Sequence, residues 1–208
     1  MKMMDGYSRA FVSEGLGGRL LKNNLNNSIG AGLIVVCSIL SSCATTQQTQ
    51  LEPNDALVYN NRGFEYCQTG QYDQAISDFS KAIEINPRFA RAYSNRGTAY
   101  LFKGQHDQAI LDLSKAIEIN SRLAQAYNNR GWAYVQKWQF DQAISDFSRT
   151  IEIDPSFVEA YFNRATVYFF VEEYDKSLLD IIKAQQLGYQ IPPEFLDDFR
   201  KAVGGIGV

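Results

Sequence analysis

Tyr59-Asn60-Asn61-Arg62-Gly63 returns as Tyr93-Ser94-Asn95-Arg96-Gly97, then as Tyr127-Asn128-Asn129-Arg130-Gly131, and a fourth time as Tyr161-Phe162-Asn163-Arg164-Ala165. Each block begins 34 residues after the one before it. Pro53, Pro87 and Pro155 keep the same spacing, with Ser121 in the slot between them. A fixed period of this length marks a chain built from one supersecondary unit, stacked so that each copy covers the apolar side of the next.

The residues between the blocks describe that unit. Ile76, Phe79 and Ile83 recur at helical spacing and form a core stripe. Gly63 and Ala75 are small, as two helices that approach closely require. Pro87 follows the Ile83-Glu84-Ile85 stretch, where it blocks further helix and turns the chain. Gly70 and Gly104 suit a tight turn that calls for positive φ. Each unit is thus expected to be two antiparallel helices, the first pair near residues 56–69 and 72–85.

This pattern resembles the tetratricopeptide-repeat (TPR) family. The family runs a large aromatic, Gly four residues later, Tyr three later, then Ala, a large apolar residue, Ala and Pro. The first unit supplies Tyr59, Gly63, Tyr66, Ala75, Phe79, Ala82 and Pro87. The second supplies Tyr93, Gly97, Tyr100, Ala109, Leu113, Ala116 and Ser121, and the third Tyr127, Gly131, Tyr134, Ala143, Phe147, Thr150 and Pro155. The fourth departs, with Ala165, Ser177 and Tyr189 in the Gly, first Ala and Pro slots, as an end repeat with one covered side does. The resemblance implies an all-α, right-handed α-solenoid of four TPR hairpins over 53–189 (approximately 56–87, 90–121, 124–155 and 158–189). Residues 190–208 follow as a C-terminal capping helix and tail. There Pro192-Pro193 precedes a stripe of Phe195, Leu196, Phe199 and Val203.

In the family the first helix of each hairpin lines a concave groove. Carried over, the residue two after the aromatic is Asn in every repeat: Asn61, Asn95, Asn129 and Asn163. A carboxamide donates and accepts, so such a row suits the backbone of an extended peptide; alternatively these residues bond neighbouring helices. Nearby groove positions differ between repeats and include Phe64, Cys67, Leu101, Phe102, Trp132, Val135, Phe162, Phe169 and Phe170. They read either as anchor pockets or as a surface that the tether or terminal helix covers. The slots in which some family members grip a C-terminal carboxylate hold Asn60, Phe64, Asn95, Gln125 and Asn129, with no cation among them. Arg62, Arg96, Arg130 and Arg164 recur in step with Asp78, Asp112, Asp146 and Asp180, which predicts a repeated ion pair between helices. His106 shares its slot with Tyr72, Phe140 and Tyr174 and reads as packing. Trp138 replaces the turn glycine of the first two repeats.

Ahead of the repeats, Ile29 to Leu40 runs IGAGLIVVCSIL, apolar and uncharged, after Arg19 and Lys22. It is shorter than the roughly 20 residues of a spanning helix and fits a signal-peptide core. Leu40-Ser41-Ser42-Cys43 then resembles a lipobox. That resemblance implies a signal peptide over 1–42, a lipid on Cys43 and a flexible tether over 43–52. Several acyl chains, at about 0.8 kcal/mol per buried methylene, hold a soluble domain at a bilayer. Ala44 rather than Asp after the cysteine favours the outer membrane of a Gram-negative envelope. Met1–Ser28 is long for a leader and contains Asp5 and Glu14, which points to a translation start near Leu20. An uncleaved anchor helix, or an apolar run with neither role, are the alternatives.

Charge and composition narrow the function. The formal net charge is −3. Removing Lys2, Arg9, Arg19, Lys22, Asp5 and Glu14 with the leader leaves 16 basic and 21 acidic residues, a net of −5. Without clustered cations the chain does not read as a nucleic-acid binder. One cysteine in the repeats and one histidine overall suit neither a disulfide framework nor a metal site. No nucleophile elbow, phosphate loop or paired-acid constellation stands outside the repeats. The expectation is therefore a non-enzymatic adaptor of the bacterial envelope without cofactor or metal, binding a protein or peptide, with a self-associating scaffold as the alternative.

Overall fold

The computed structural model describes residues 53–204, so the leader, the lipobox with Cys43, the tether and the last four residues lie outside the described residues. The described residues form nine α-helices and no strand. They pair as α1 (Pro53–Gln68) with α2 (Tyr72–Ile85), α3 (Ala90–Phe102) with α4 (His106–Ile119), α5 (Ala124–Gln136) with α6 (Phe140–Ile153), and α7 (Val158–Phe170) with α8 (Tyr174–Gln186). A short α9 (Pro193–Ala202) follows. α1 starts at Pro53, earlier than the pattern predicts; proline suits a first helical position, where its missing N–H has no partner to lose. No described helix is long and apolar enough to cross a membrane.

Local chemistry sets the corners. Each first helix ends in a hydrogen bond from the backbone N–H three residues past its end to a carbonyl five residues back: Gln71 to Tyr66, Gln105 to Tyr100, Gln139 to Tyr134 and Glu173 to Tyr168, all at 2.8–2.9 Å. This closure needs a left-handed residue just before it. Gly70 and Gly104 fill that place at φ 74° and 71°. Trp138 and Glu172 fill it at φ 60° and 63°, where a side chain is strained. Each second helix opens with an aspartate in its first turn (Asp73, Asp107, Asp141, Asp175), which complements the helix dipole. The first three second helices are followed by Asn86, Asn120 and Asp154, whose side chains accept from the backbone N–H of Arg88, Arg122 and Ser156 at 3.0–3.1 Å and start the turn into the next hairpin.

Within a hairpin the core is a large side chain set against a gap. Phe79, Leu113 and Phe147 are fully buried opposite Gly63, Gly97 and Gly131. A Cβ added at those glycines would sit 2.8, 2.7 and 2.8 Å from the facing side chain, so nothing larger than hydrogen fits without displacement. In the fourth hairpin Ala165 and Ile181 hold the same two register positions, and both are buried. The two polar replacements in alanine slots are satisfied internally: Ser177 donates to the Ala165 carbonyl at 2.8 Å, and Thr150 to that of Asp146 at 2.9 Å.

Between hairpins the guanidinium row is the main polar tie. Arg62, Arg96, Arg130 and Arg164 each clasp the aspartate of their own second helix through two bonds of 2.5–2.9 Å, as the sequence spacing predicts. From the second hairpin on, the third nitrogen donates to a serine of the preceding second helix: Arg96 to Ser80, Arg130 to Ser114 and Arg164 to Ser148, at 2.9–3.0 Å. Each of these arginines therefore joins three helices. Consecutive first helices also touch, α1 with α3, α3 with α5 and α5 with α7, whereas second helices make no comparable contact with one another. The stack accordingly curves with its first helices on the inside.

The C-terminal helix ends this order. Phe195 and Ile191 stand 34 residues after Tyr161 and Phe157, the register of a fifth first helix. Among the described residues α9 has no second helix to pair with, and it packs through rings: Phe195 against Phe162 at 5.1 Å and Phe169 at 5.4 Å, and Phe199 against Phe169 and Tyr174 at 6.0 and 6.2 Å. Phe195 and Phe199 are buried as a result.

Candidate binding groove

The inner face of the curve is made by one stripe on α1, α3, α5 and α7. Immediately after each aromatic, Asn60, Ser94, Asn128 and Phe162 are all buried, because the next first helix closes over them. The asparagines one residue further on reach back across that junction. Asn95 donates to Asn60 Oδ1 at 3.0 Å, Asn129 to Thr98 Oγ1 at 2.8 Å and Asn163 to Asn128 Oδ1 at 2.9 Å. Gln125 adds a 2.8 Å bond to Asn129 Oδ1. An amide relay thus stitches the inner face together.

The four asparagines are not equivalent. Asn61 is exposed, Asn95 is half-buried, and Asn129 and Asn163 are only 3% and 2% exposed. Among the described residues no hairpin precedes Asn61 and nothing accepts from its Nδ2, and nothing donates to Asn95 Oδ1. Oδ1 of Asn163 is buried without a donor among the described residues. Amide edges that an incoming backbone reaches therefore lie in the first two hairpins. Packing has taken those of the last two, because the inner face tightens toward α9.

The predicted apolar positions divide in the same way. Phe64 is half-buried against the Ala75, Phe79 and Ala99 cluster, and Leu101 against Ala109, Leu113 and their neighbours. Phe102 stacks on Tyr72 with centroids 4.9 Å apart and planes 4° off parallel. Trp132 is half-buried on α5, and Val135 is buried. Phe162 and Phe169 meet α9, so the molecule's own terminal helix occupies that end of the stripe. Phe170 stands edge-on to Phe169. Cys67 is a free thiol, and burial pushes its pKa up to about 11, which keeps it protonated and unreactive near neutrality. Cys43 lies outside the described residues.

Sequence reasoning missed Thr98 and the serine row as partners. Their signal is the same 34-residue register: Ser80, Ser114 and Ser148 recur 16 residues before the arginines they serve. Among the described residues no three His, Cys, Asp or Glu side chains come together as metal ligands.

Family models describe the same units. A model described as TPR repeat matches residues 65–102, and one described as tetratricopeptide repeat matches 90–123 and again 124–157. No curated protein sequence matches the chain. Among solved structures, a crystal structure of MamA is similar at 28% identity and a TM-score of 0.61, over 65% of this chain and 80% of that one. The first TPR of Spaghetti (RPAP3), bound to the HSP90 peptide SRMEEVD, is similar at 26% identity and a TM-score of 0.57, over 60% of this chain and 98% of that one. The first TPR domain of human RPAP3 matches at 26% identity and a TM-score of 0.52, over 66% and 100% of the two chains. The second of these models falls on the second and third hairpins in their own 34-residue register, and together the two identify residues 65–157 as tetratricopeptide repeats.

Proposed function

We propose that this chain is a protein-binding adaptor that takes an extended segment of a partner along its inner face and is held at a membrane through a lipid on Cys43. The observation that carries the first part is the pair of open amide edges on Asn61 and Asn95, with the half-buried Phe64, Leu101, Phe102 and Trp132 on the same row of first helices. A peptide backbone needs donors and acceptors at its own spacing, and its side chains need apolar seats; the first three hairpins offer both. Support comes also from the similar Spaghetti domain, whose structure holds a peptide. That peptide, SRMEEVD, is acidic. The slots that resemblance assigns to carboxylate grip hold amides and Phe64 here, so the favoured ligand is an uncharged or apolar segment. Asn129, Asn163 and Phe169 support the groove from behind, as inter-repeat ties and as the seat of α9.

A photo-crosslinking amino acid placed at Phe64 and, separately, at Leu111 tests the groove in the native host. Leu111 is 71% exposed on α4, a second helix, away from the inner face. The reading expects one partner joined from position 64 and not from 111; equal yields from both positions overturn it. Intact-mass analysis of the native protein tests the tether, expecting acylated Cys43 as the first residue. Recovery of Met1 with an unmodified Cys43 overturns that part alone.

A second reading, self-association into a scaffold, is favoured by Leu179 and Ile182 on α8, which are 68% and 40% exposed. Light scattering on the full chain separates the two readings, since a concentration-independent monomer removes the scaffold.

A further inference from the structure

The corners where first helices turn into second helices lie in a row, and two of them carry an inter-repeat cation. Lys103 of the second hairpin pairs with Asp73 of the first, and Lys137 of the third pairs with Asp107 of the second. Lys137 also lies close enough to His106, the residue before Asp107, to disfavour its protonation, so the ammonium rests beside the first side chain of α4. One step on, the register places Val171 where the lysine stands in the two earlier corners. Asp141, exposed at the start of α6, has no cation paired with it among the described residues.

That same corner carries aromatic surface. Phe140 stands where His106 stands one repeat earlier. Trp138 projects from the turn at 58% exposure and meets Phe140 edge-on, with centroids 5.9 Å apart and planes at 66°. Glycine fills the Trp138 position in the first two hairpins. The neighbouring corner adds the exposed carboxylate of Glu172, while Glu173 is taken by Lys176. A cation seat built twice in the molecule is thus present a third time with its carboxylate kept, its lysine missing and the Trp138 indole added beside a ring, Phe140, that the first seat matches with Tyr72.

We propose that Trp138, Phe140 and Asp141 form a docking seat for an arginine side chain of a partner protein, which takes the place that Lys103 and Lys137 fill at the two preceding corners. A guanidinium lies flat on an indole and offers paired donors to a carboxylate at once, which an ammonium does not. The seat is on the outer edge, away from the inner stripe, and it does not depend on the groove.

The test titrates the full chain with acetyl-Gly-Arg-Gly-Arg-Gly amide and follows the two indole N–H signals by NMR. Trp132 and Trp138 are the only tryptophans, so each reports on one surface. The seat expects a saturable shift of Trp138 with Trp132 unmoved, and no shift with the glutamine analogue of the peptide. Asp141→Asn weakens the titration about tenfold. Val171→Lys supplies the missing ammonium from within the chain and abolishes the Trp138 response, with helicity by circular dichroism unchanged. An unmoved Trp138 signal overturns the seat, as does wild-type titration by either variant. A shift confined to Trp132 also overturns it, while leaving the groove standing.

Discussion

At Gly97 an added Cβ would lie 2.7 Å from Leu113 Cγ and 3.3 Å from the Ala109 carbonyl oxygen. Cγ is a branch point near the backbone of α4 and gives way poorly, whereas the rings that face Gly63 and Gly131 present an edge. Gly97→Ala is expected to cost about 1–3 kcal/mol by overpacking, seen as a lower urea midpoint. Glu172→Gly works in the opposite sense. Its residue is exposed at φ 63°, so glycine relieves left-handed strain and raises stability by about 0.5–1 kcal/mol in the same assay. The glycines of the helix contacts are legible in the sequence because size alone decides them. The strain at Trp138 and Glu172 is not, since neither residue type signals a left-handed backbone; only their register with Gly70 and Gly104 reveals it.

Between elements, the arginine row is where sequence and structure agree in part. The spacing of Arg130 and Asp146 is enough to predict their pairing across a hairpin. The third bond to Ser114 is not, because serine is as common on a solvated face as in a junction. Arg130 is 18% exposed and Asp146 6%, so removing the guanidinium leaves a carboxylate that water barely reaches. Arg130→Ala is therefore expected to destabilise by about 2–4 kcal/mol in urea unfolding. Arg62→Ala is expected to cost less, since Arg62 is 48% exposed and bonds only Asp78 among the described residues. The asparagines teach a related lesson. Their recurrence is plain in the sequence, yet whether an amide faces a ligand or a neighbouring helix depends on how tightly successive first helices close, and that tightening toward α9 leaves no mark in residue type.

For the whole molecule, the tetratricopeptide-repeat fold was readable before any coordinates because one period explains helices, turns and core together. The place taken by α9 was less so, since its stripe of apolar residues says that it packs but not that Phe162 and Phe169 receive it. His106 links the fold to pH. Burial lowers its pKa below the ordinary 6.5, with Lys137 acting in the same direction and Asp107 against it, and Nδ1 is buried without a partner. The unfolded chain therefore binds the proton first. Stability is steady above pH 6.5 and falls as pH drops through it, until the folded histidine also charges. His106→Phe, the residue found in the third repeat, is expected to remove this slope between pH 7.5 and 5.5, as read from urea midpoints at each pH.

The inner arginines straddle neighbouring hairpins, while among the described residues Arg62 grips only its own, and the series of serine acceptors stops at Ile182. Breathing motions should therefore begin at the margins and reach the middle late. Deuterium is expected to enter backbone amides of α1 and α9 early and those of α4, α5 and α6 last, with Ser114→Ala speeding uptake at the centre while leaving the margins as they were.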